Sequence, residues 1–367
     1  MRWVLALCGL LAACAKKAAD SSECSANEVC IIAGTGELGF NGDEHPARET
    51  RLASPSGAFE DMNGNIVIVD YSNMRVRQID DDGRIRTRVG NGFHAYSEEG
   101  ADTLETPLEN PIDIAWNPMG ELCILPQHEG RVVCVNEDDQ IERFAGTGSI
   151  ADSGDGGPAL DAEMGYGGGM VFAADGTLFI SDSSHSKVRR ISPDGRIDTV
   201  LGTGSAGSEP MGHGPETPLR FPGRLAIDED NRRLIVADTH NHRVLALDID
   251  SLQATVVAGT GESGFSGDGA SAETAALNQP LGVAVGPSGG VLIADSRNHV
   301  IRYVDPNGTI DTVIGTGETT QSTDSEAPLQ FPVVGPAGLS WTTDGHLLVA
   351  EQLGHRILRA DHFWDAL

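Results

Sequence analysis

Basic residues are scarce in this chain. Its 367 residues hold 25 Lys and Arg against 54 Asp and Glu, a formal charge of −29. A field of that sign repels nucleic-acid phosphates, which excludes DNA and RNA as partners. It suits a solvated surface, or one that receives cations and basic partners. Aromatic residues make up only 5%. Few stacking platforms are then available, which weighs against a carbohydrate-binding module. The apolar run Trp3–Ala13 is eleven residues long, short of the roughly 20 that span a bilayer. Cys24, Cys30, Cys123 and Cys134 show neither Cys-x-x-Cys nor metal-ligand spacing, so neither a redox nor a zinc role gains support from them.

Glycine, by contrast, is abundant, and six copies of one phrase carry much of the information. They read AGTG at 33–36, VGNG at 89–92, AGTG at 145–148, LGTG at 201–204, AGTG at 258–261 and IGTG at 314–317. The first glycines, Gly34, Gly90, Gly146, Gly202, Gly259 and Gly315, are 56, 56, 56, 57 and 56 residues apart. A fixed period of this length is the mark of a repeat architecture. The unit from Leu277 shows its plan. Pro280–Gly286, Val291–Ala294, Val300–Val304 and Thr309–Gly315 read as strands a, b, c and d, parted by turns such as Asp305-Pro306-Asn307-Gly308. Such a sheet is apolar on both faces and needs a neighbour on each side, which a ring of blades provides. The last unit lacks a strand d, and Val29–Gly34 is spare. The expected fold is all-β: a six-bladed β-propeller, four antiparallel strands per blade, with the last blade closed by the N-terminal strand.

The N-terminus reads as a processing signal. Arg2 and the apolar run precede Leu11-Ala12-Ala13-Cys14, and together they suit a signal peptide. The tetrapeptide resembles the bacterial lipobox, whose cysteine is lipidated. That resemblance implies a signal peptide at 1–13, a lipidated Cys14 with a tether to 27, and a propeller over 28–367. Ala15 after the cysteine implies outer-membrane sorting, with either face of that membrane open. The remaining cysteines allow three pairings. Cys123 and Cys134 sit on two runs joined by a short turn, where a hairpin sets them nearly opposite. Cys24 and Cys30 then form a local pair beside the closing strand.

Asp238-Thr239-His240-Asn241-His242-Arg243-Val244 and Asp295-Ser296-Arg297-Asn298-His299-Val300-Ile301 resemble the signature of the NHL-repeat family. Asp70–Val76 and Glu351–Ile357 are similar in weaker form, and the resemblance covers about residues 28–361. It is specific for fold and says little of function. The second repeat departs most, at Pro126–Arg131, and the Cys123–Cys134 bridge is expected to replace its polar turn contacts.

Residues that recur with the fold's own period are read as structural. These are Asp70, Asp182, Asp238, Asp295 and Glu351 at the end of strand b, expected to accept hydrogen bonds from the following turn. The basic residue five positions on (Arg75, Lys187, Arg243, Arg356) is expected to pair with them or with a neighbouring blade. The turn histidines His242, His299 and His355 are assigned the same way. The long d–a loops carry candidate binding residues, Asn41, Asp43, Asp155 and Asp268. Their Gly-Asp-Gly sequences invite calcium, yet they lack the alternating ligands of an EF-hand loop; no cofactor is expected. Asp113 and Arg224 stand out on inner strands as a candidate channel pair. The function expected is a membrane-anchored extracytoplasmic scaffold, a monomer, whose acidic loop face recognises a protein or envelope ligand. The alternatives are a propeller enzyme of lyase or lactonase type acting at the channel, since some propellers that resemble this one have that activity, and a binder of sugars or other small ligands.

Overall fold

A computed structural model describes residues 24–286 and 288–361. The signal peptide at 1–13 and Cys14 lie outside the described residues, as does most of the tether. Strand after strand is short, apolar and ended by a turn, and the chain folds into six antiparallel sheets. Blade 1 runs a Gly57–Glu60, b Ile66–Asp70, c Arg75–Ile79, d Arg84–Val89. Blade 2 runs Pro111–Trp116, Leu122–Pro126, Val132–Val135, Ile141–Ala145, and blade 3 runs Gly167–Phe172, Leu178–Asp182, Lys187–Ile191, Ile197–Leu201. Blade 4 runs Leu225–Asp228, Arg233–Asp238, Arg243–Asp248, Ala254–Ala258, and blade 5 runs Pro280–Val285, Val291–Asp295, Val300–Val304, Thr309–Ile314. Blade 6 has Pro336–Trp341, Leu347–Glu351 and Arg356–Ala360, and Val29–Ala33 is its strand d, with Val29 opposite Ala360. The chain therefore closes as its repeats imply.

Strand b is buried on both faces, as Val67, Ile68 and Val69 show. Its side chains enter two different interfaces, because each sheet is sandwiched between neighbours. The apolar core is accordingly a ring of six clusters, one per junction. Val69, Val89, Ile114 and Ile124 fill the junction of blades 1 and 2, while Ala58, Ile68, Leu348 and Ile357 fill that of blades 6 and 1. On the channel side, glycine lets inner strands approach. A Cβ on Gly282 would lie 2.0 Å from the Ala337 carbonyl oxygen, and one on Gly338 2.5 Å from that of Ser56.

The recurring first glycine has a double reason. Its φ lies between +82° and +108° in all six copies, a region that L side chains avoid. A Cβ there would also press on a carbonyl oxygen of the blade's own b–c turn, at 2.2 Å from Gly130 for Gly146 and 2.4 Å from His242 for Gly259.

Strand d is the outer edge of every blade, and an open edge invites aggregation. Here the loop entering each blade doubles back along that blade's strand d. His45–Pro46 pairs with Arg84–Ile85 and Ala270–Ser271 with Thr309–Ile310. Single bridges do the same at Asp102–Gln140, Pro158–Arg196, His213–Gln253 and Glu326–Val29. The two disulfides are those expected, Cys24–Cys30 and Cys123–Cys134. The second joins residues directly opposite in the b–c ladder.

Val29 and Ala33 are fully buried, and Cys30 and Ile31 nearly so. Removing the closing strand discards several apolar side chains worth roughly 1.5–3 kcal/mol each and bares the Arg356–Ala360 edge. A chain lacking residues 15–34 is expected to unfold at least 10 °C lower in calorimetry and to aggregate. Unfolding like that of the full chain would contradict the closed ring.

Candidate functional site

The loops entering strand a and the b–c turns share one face of the ring, and the loops are held there by arginine. In each blade one guanidinium from strand c, or in blade 2 from Arg131 just before it, reaches a loop carbonyl about 35 residues earlier. Arg77, Arg189 and Arg302 do this in blades 1, 3 and 5, donating to Gly42, Ser153 and Ser266 at 3.0, 3.0 and 3.1 Å. Arg131, Arg243 and Arg356 do it in blades 2, 4 and 6, from two positions earlier on the strand, bonding Ser97, Ser208 and Ser322. All but Arg131 are essentially buried.

The candidate loop carboxylates serve this arrangement. Asp43, Asp155 and Asp268 pair with Arg77, Arg189 and Arg302 at 2.8, 2.6 and 2.7 Å. Each also accepts a hydroxyl, from Thr87, Thr199 and Thr312. Asn41 braces its own loop, donating to the Glu49 carbonyl and accepting from the Arg51 amide. Calcium wants six to eight oxygens, and the aspartate of each Gly-Asp-Gly turn, Asp155 and Asp268, already has one carboxylate oxygen on an arginine.

The carboxylates ending strand b do more than the expectation assigns them. As expected the aspartates accept from the following turn, through the Asn73, Asn241 and Asn298 side-chain amides and, for Asp182, the His185 backbone amide. Each carboxylate also accepts a backbone amide from the segment that leads into strand a of the same blade. Asp70 takes Ala53, Asp182 takes Gly165, Asp238 takes Arg220, Asp295 takes Asn278 and Glu351 takes Val334, all at 2.7–3.0 Å. Arg243 and Arg356 pair with Asp238 and Glu351 as expected. Arg75 and Lys187 do not pair with Asp70 and Asp182: Arg75 bonds the carbonyls of Asn73 and Asn91, and Lys187 pairs with Asp152. The arginine beside Asp70 is Arg77, two residues further on. In blade 2 the lost polar contacts are restored by Glu129, which accepts from Ser97 and Arg131; the disulfide lies within the strands instead.

The turn residues of the repeat signature also have structural tasks. Asn73, Asn241 and Asn298 donate to loop carbonyls of Gly39, Gly207 and Gly264. His242, His299 and His355 adopt positive φ, and each Nδ1 accepts an amide of the next blade, from Gln279, Gly335 and Ser54 at 3.0–3.1 Å. These histidines sit in separate blades, each latching one junction.

In the channel the structure brings Asp113 and Arg224 together from blades 2 and 4. Arg224 donates to Asp113 and, at 2.7 Å each, to the carbonyls of Ser56 and Ile112. Asp113 also accepts the Met170 amide at 3.0 Å, so the pair knots four blades. Burial pushes the Asp113 carboxyl up, against the pull of Arg224. Beyond it, toward the a–b turns, lies a cup of about 400 Å³. Phe59, Trp116, Phe172, Ile227, Val285 and Trp341 line it, one from strand a of each blade. Reading the inner strands for polar groups alone passed over this ring, although its members recur at the repeat's period.

A model of the Teneurin NHL domain family matches residues 157–353, more than half of the chain. The chain is similar to NHL repeat-containing protein 2 of Bos taurus, at 27% identity over 76% of this chain and 43% of that protein. It thus spans less than half the length of that relative. Among solved structures it resembles an auxiliary nutrient binding protein from Bacteroides thetaiotaomicron, with a TM-score of 0.65 and 14% identity over 90% of this chain and 75% of that one. It also resembles virginiamycin B lyase from Staphylococcus aureus, with a TM-score of 0.50 and 13% identity over 83% and 94%. At such identities the likeness is one of fold.

The latching histidines set a pH dependence. Burial lowers the pKa of His242, His299 and His355 below the ordinary 6.5. Below about 6.5 the unfolded chain takes up these protons and the folded one resists, so their stabilisation is full above that pH and is lost as pH falls. Asp70 and Asp295, both pushed up to about 6 by burial, act in the opposite sense between pH 3.8 and 6. Asparagine tolerates positive φ and can place an oxygen near the Nδ1 position. The His242→Asn, His299→Asn, His355→Asn variant is expected to match wild type at pH 7.5 and to exceed its stability at pH 5.5. Parallel pH curves for the two proteins would show that the latches do not titrate.

Proposed function

Because the chain belongs to the NHL-repeat β-propeller family, we propose that it is a recognition scaffold, held to a bacterial outer membrane through Cys14, that binds a protein on its loop face. One observation carries this reading. Of the large apolar side chains exposed among the described residues, only Met62 and Met119 lie on a–b turns. All the others lie on entering loops or, for Leu353, on a b–c turn, with Leu38 at 61%, Phe93 at 72% and Leu329 at 59% exposure. Phe40, Tyr96 and Phe265 cover latch arginines, and Tyr166 and Phe221 pack on His128 and His240; Leu38, Phe93 and Leu329 have no such ring or cation contact among the described residues. Apolar side chains displayed on pinned loops are what a binding face needs, and they lose little freedom on docking. The charge of −29 favours a basic or polar partner whose association slows with salt.

The test uses envelope extracts and three proteins. The combined Leu38→Ser, Phe93→Ser, Leu329→Ser variant should melt like wild type and lose at least about ten-fold in partner affinity, since burying one large apolar side chain contributes roughly 1.5–3 kcal/mol. Cys14→Ser should leave the membrane fraction and still bind. Unchanged binding by the triple variant overturns the loop-face reading, and a membrane-bound Cys14→Ser protein overturns the anchor.

The cup supports a second reading, as a receptor for a small, flat apolar ligand. Its volume is in the range of ligand sites, and it carries two tryptophans, Trp116 and Trp341. Quenching of tryptophan emission by such a ligand, abolished in Trp116→Leu, would move recognition from the loop face to the channel.

A further inference from the structure

Blade 2 breaks the pattern of the ring, and the break leaves a cluster that no other blade repeats among the described residues. His94 lies on the loop entering blade 2, Glu109 near the end of that segment, and His128 on the b–c turn. The Glu109 Oε1 stands 2.8 Å from His94 Nε2 and 3.3 Å from His128 Nδ1, and the ligand atoms of the three residues all fall within 4.8 Å of one another. Glu109 is buried, His128 half-buried and His94 exposed. We propose that His94, Glu109 and His128 form a binding site for a borderline divalent transition ion, Zn²⁺ or its close analogues Co²⁺ and Ni²⁺.

Three features carry the assignment. The donor set, two imidazole nitrogens and one carboxylate, is that of three-ligand zinc centres, which leave a further position for water or a ligand. It is wrong for calcium, which asks for many oxygens. The segments that bear the donors are fixed independently of any ion. The Gln127 amide donates to the Asn110 carbonyl at 2.9 Å, joining the turn of His128 to the segment of Glu109. The Tyr96 hydroxyl donates to the His128 carbonyl at 3.2 Å, and the His128 ring meets Tyr166 edge-on at 4.7 Å. Asn110 Oδ1, 2.7 Å from His94 Nε2, is placed to accept a hydrogen bond from the ion's water once Nε2 is a ligand.

Nor does the ring's own construction require these side chains. Where five blades end strand b with a carboxylate that holds the entering segment, blade 2 has Pro126, and Glu129 takes over the pairing with arginine. Glu109 is free of that duty, and its Oε1 faces the two imidazoles. The site lies on the loop face, with the exposed His94 on its solvent side. A bound ion would there take water, or an anionic or imidazole group of whatever docks. The site stands independently of the recognition reading.

The experiment uses the full chain stripped with EDTA and titrated with Zn²⁺ alone by calorimetry. One equivalent is expected, with affinity reduced at least ten-fold in His94→Ala, in His128→Ala and in Glu109→Gln, and with no heat from Ca²⁺ at the same concentrations. Zinc-edge X-ray absorption of the wild-type complex needs no variant to fold, and should show two imidazoles and oxygen donors. Absence of binding, binding retained by the His94→Ala, His128→Ala double variant, or a spectrum without histidine would each overturn the proposal.

Discussion

One guanidinium per blade holds the entering loop to its sheet, and much of the outer architecture depends on it. A planar fork can serve a carboxylate and a backbone carbonyl at once, which lysine's single ammonium cannot do with the same fixed geometry. All but Arg131 are buried, and so are the carboxylates Asp70, Asp238 and Glu351 at the ends of strand b. Truncating one would strand a carboxylate such as Asp70 or Glu351 away from water, a class of change that costs about 3–5 kcal/mol. Once the loop is held, it covers the edge of strand d, and the sheet ends in a closed seam instead of an open ladder. The apolar clusters between blades supply the bulk of the cohesion; the arginines decide where the loops go.

Two solutions to the same task alternate around the ring. In odd blades the arginine sits at the third residue of strand c and takes an additional aspartate from the loop, as Arg302 takes Asp268. In even blades it sits two residues earlier and relies on an acid of the strand b end or the following turn, as Arg243 relies on Asp238. The positions point to one face of the strand because they differ by two. Loop sequence and strand position therefore change together, which explains why the Gly-Asp pairs at 42–43, 154–155 and 267–268 fall in the loops of odd blades.

What was legible in the sequence was whatever the repeat period wrote six times. The spacing of the glycines gave blade number and closure, and the hairpin around Cys123 and Cys134 gave a disulfide, because both depend on local chain geometry. Contacts between segments about 35 residues apart were harder to read. A carboxylate and an arginine five positions on, as in Asp70 and Arg75, made a plausible pair by spacing alone; the strand's alternation hands the role to Arg77. The aromatic ring of the cup was missed for a different reason. Trp116 and Trp341 look like ordinary inner-strand residues until six strands converge on one axis. His94 and His128 are 34 residues apart, and only the return of the loop over its own blade sets them beside Glu109.

The pinned loop also redraws the boundary of the repeat. Each arginine binds the loop that enters its own blade, so the loop travels with the sheet that follows it. The cassette runs from one glycine phrase to the next, and what crosses between cassettes is apolar surface, backbone hydrogen bonds from the phrase to the next loop, the channel pair and, at three junctions, a histidine latch. A circularly permuted chain opened just after a glycine phrase, between residues 92 and 93 for example, keeps every cassette whole and needs only a linker across the native termini. A cut inside a loop would part an arginine from the carbonyl it holds. The ring is thus divisible at six places, and those places are marked in the primary structure by the phrase that first revealed it.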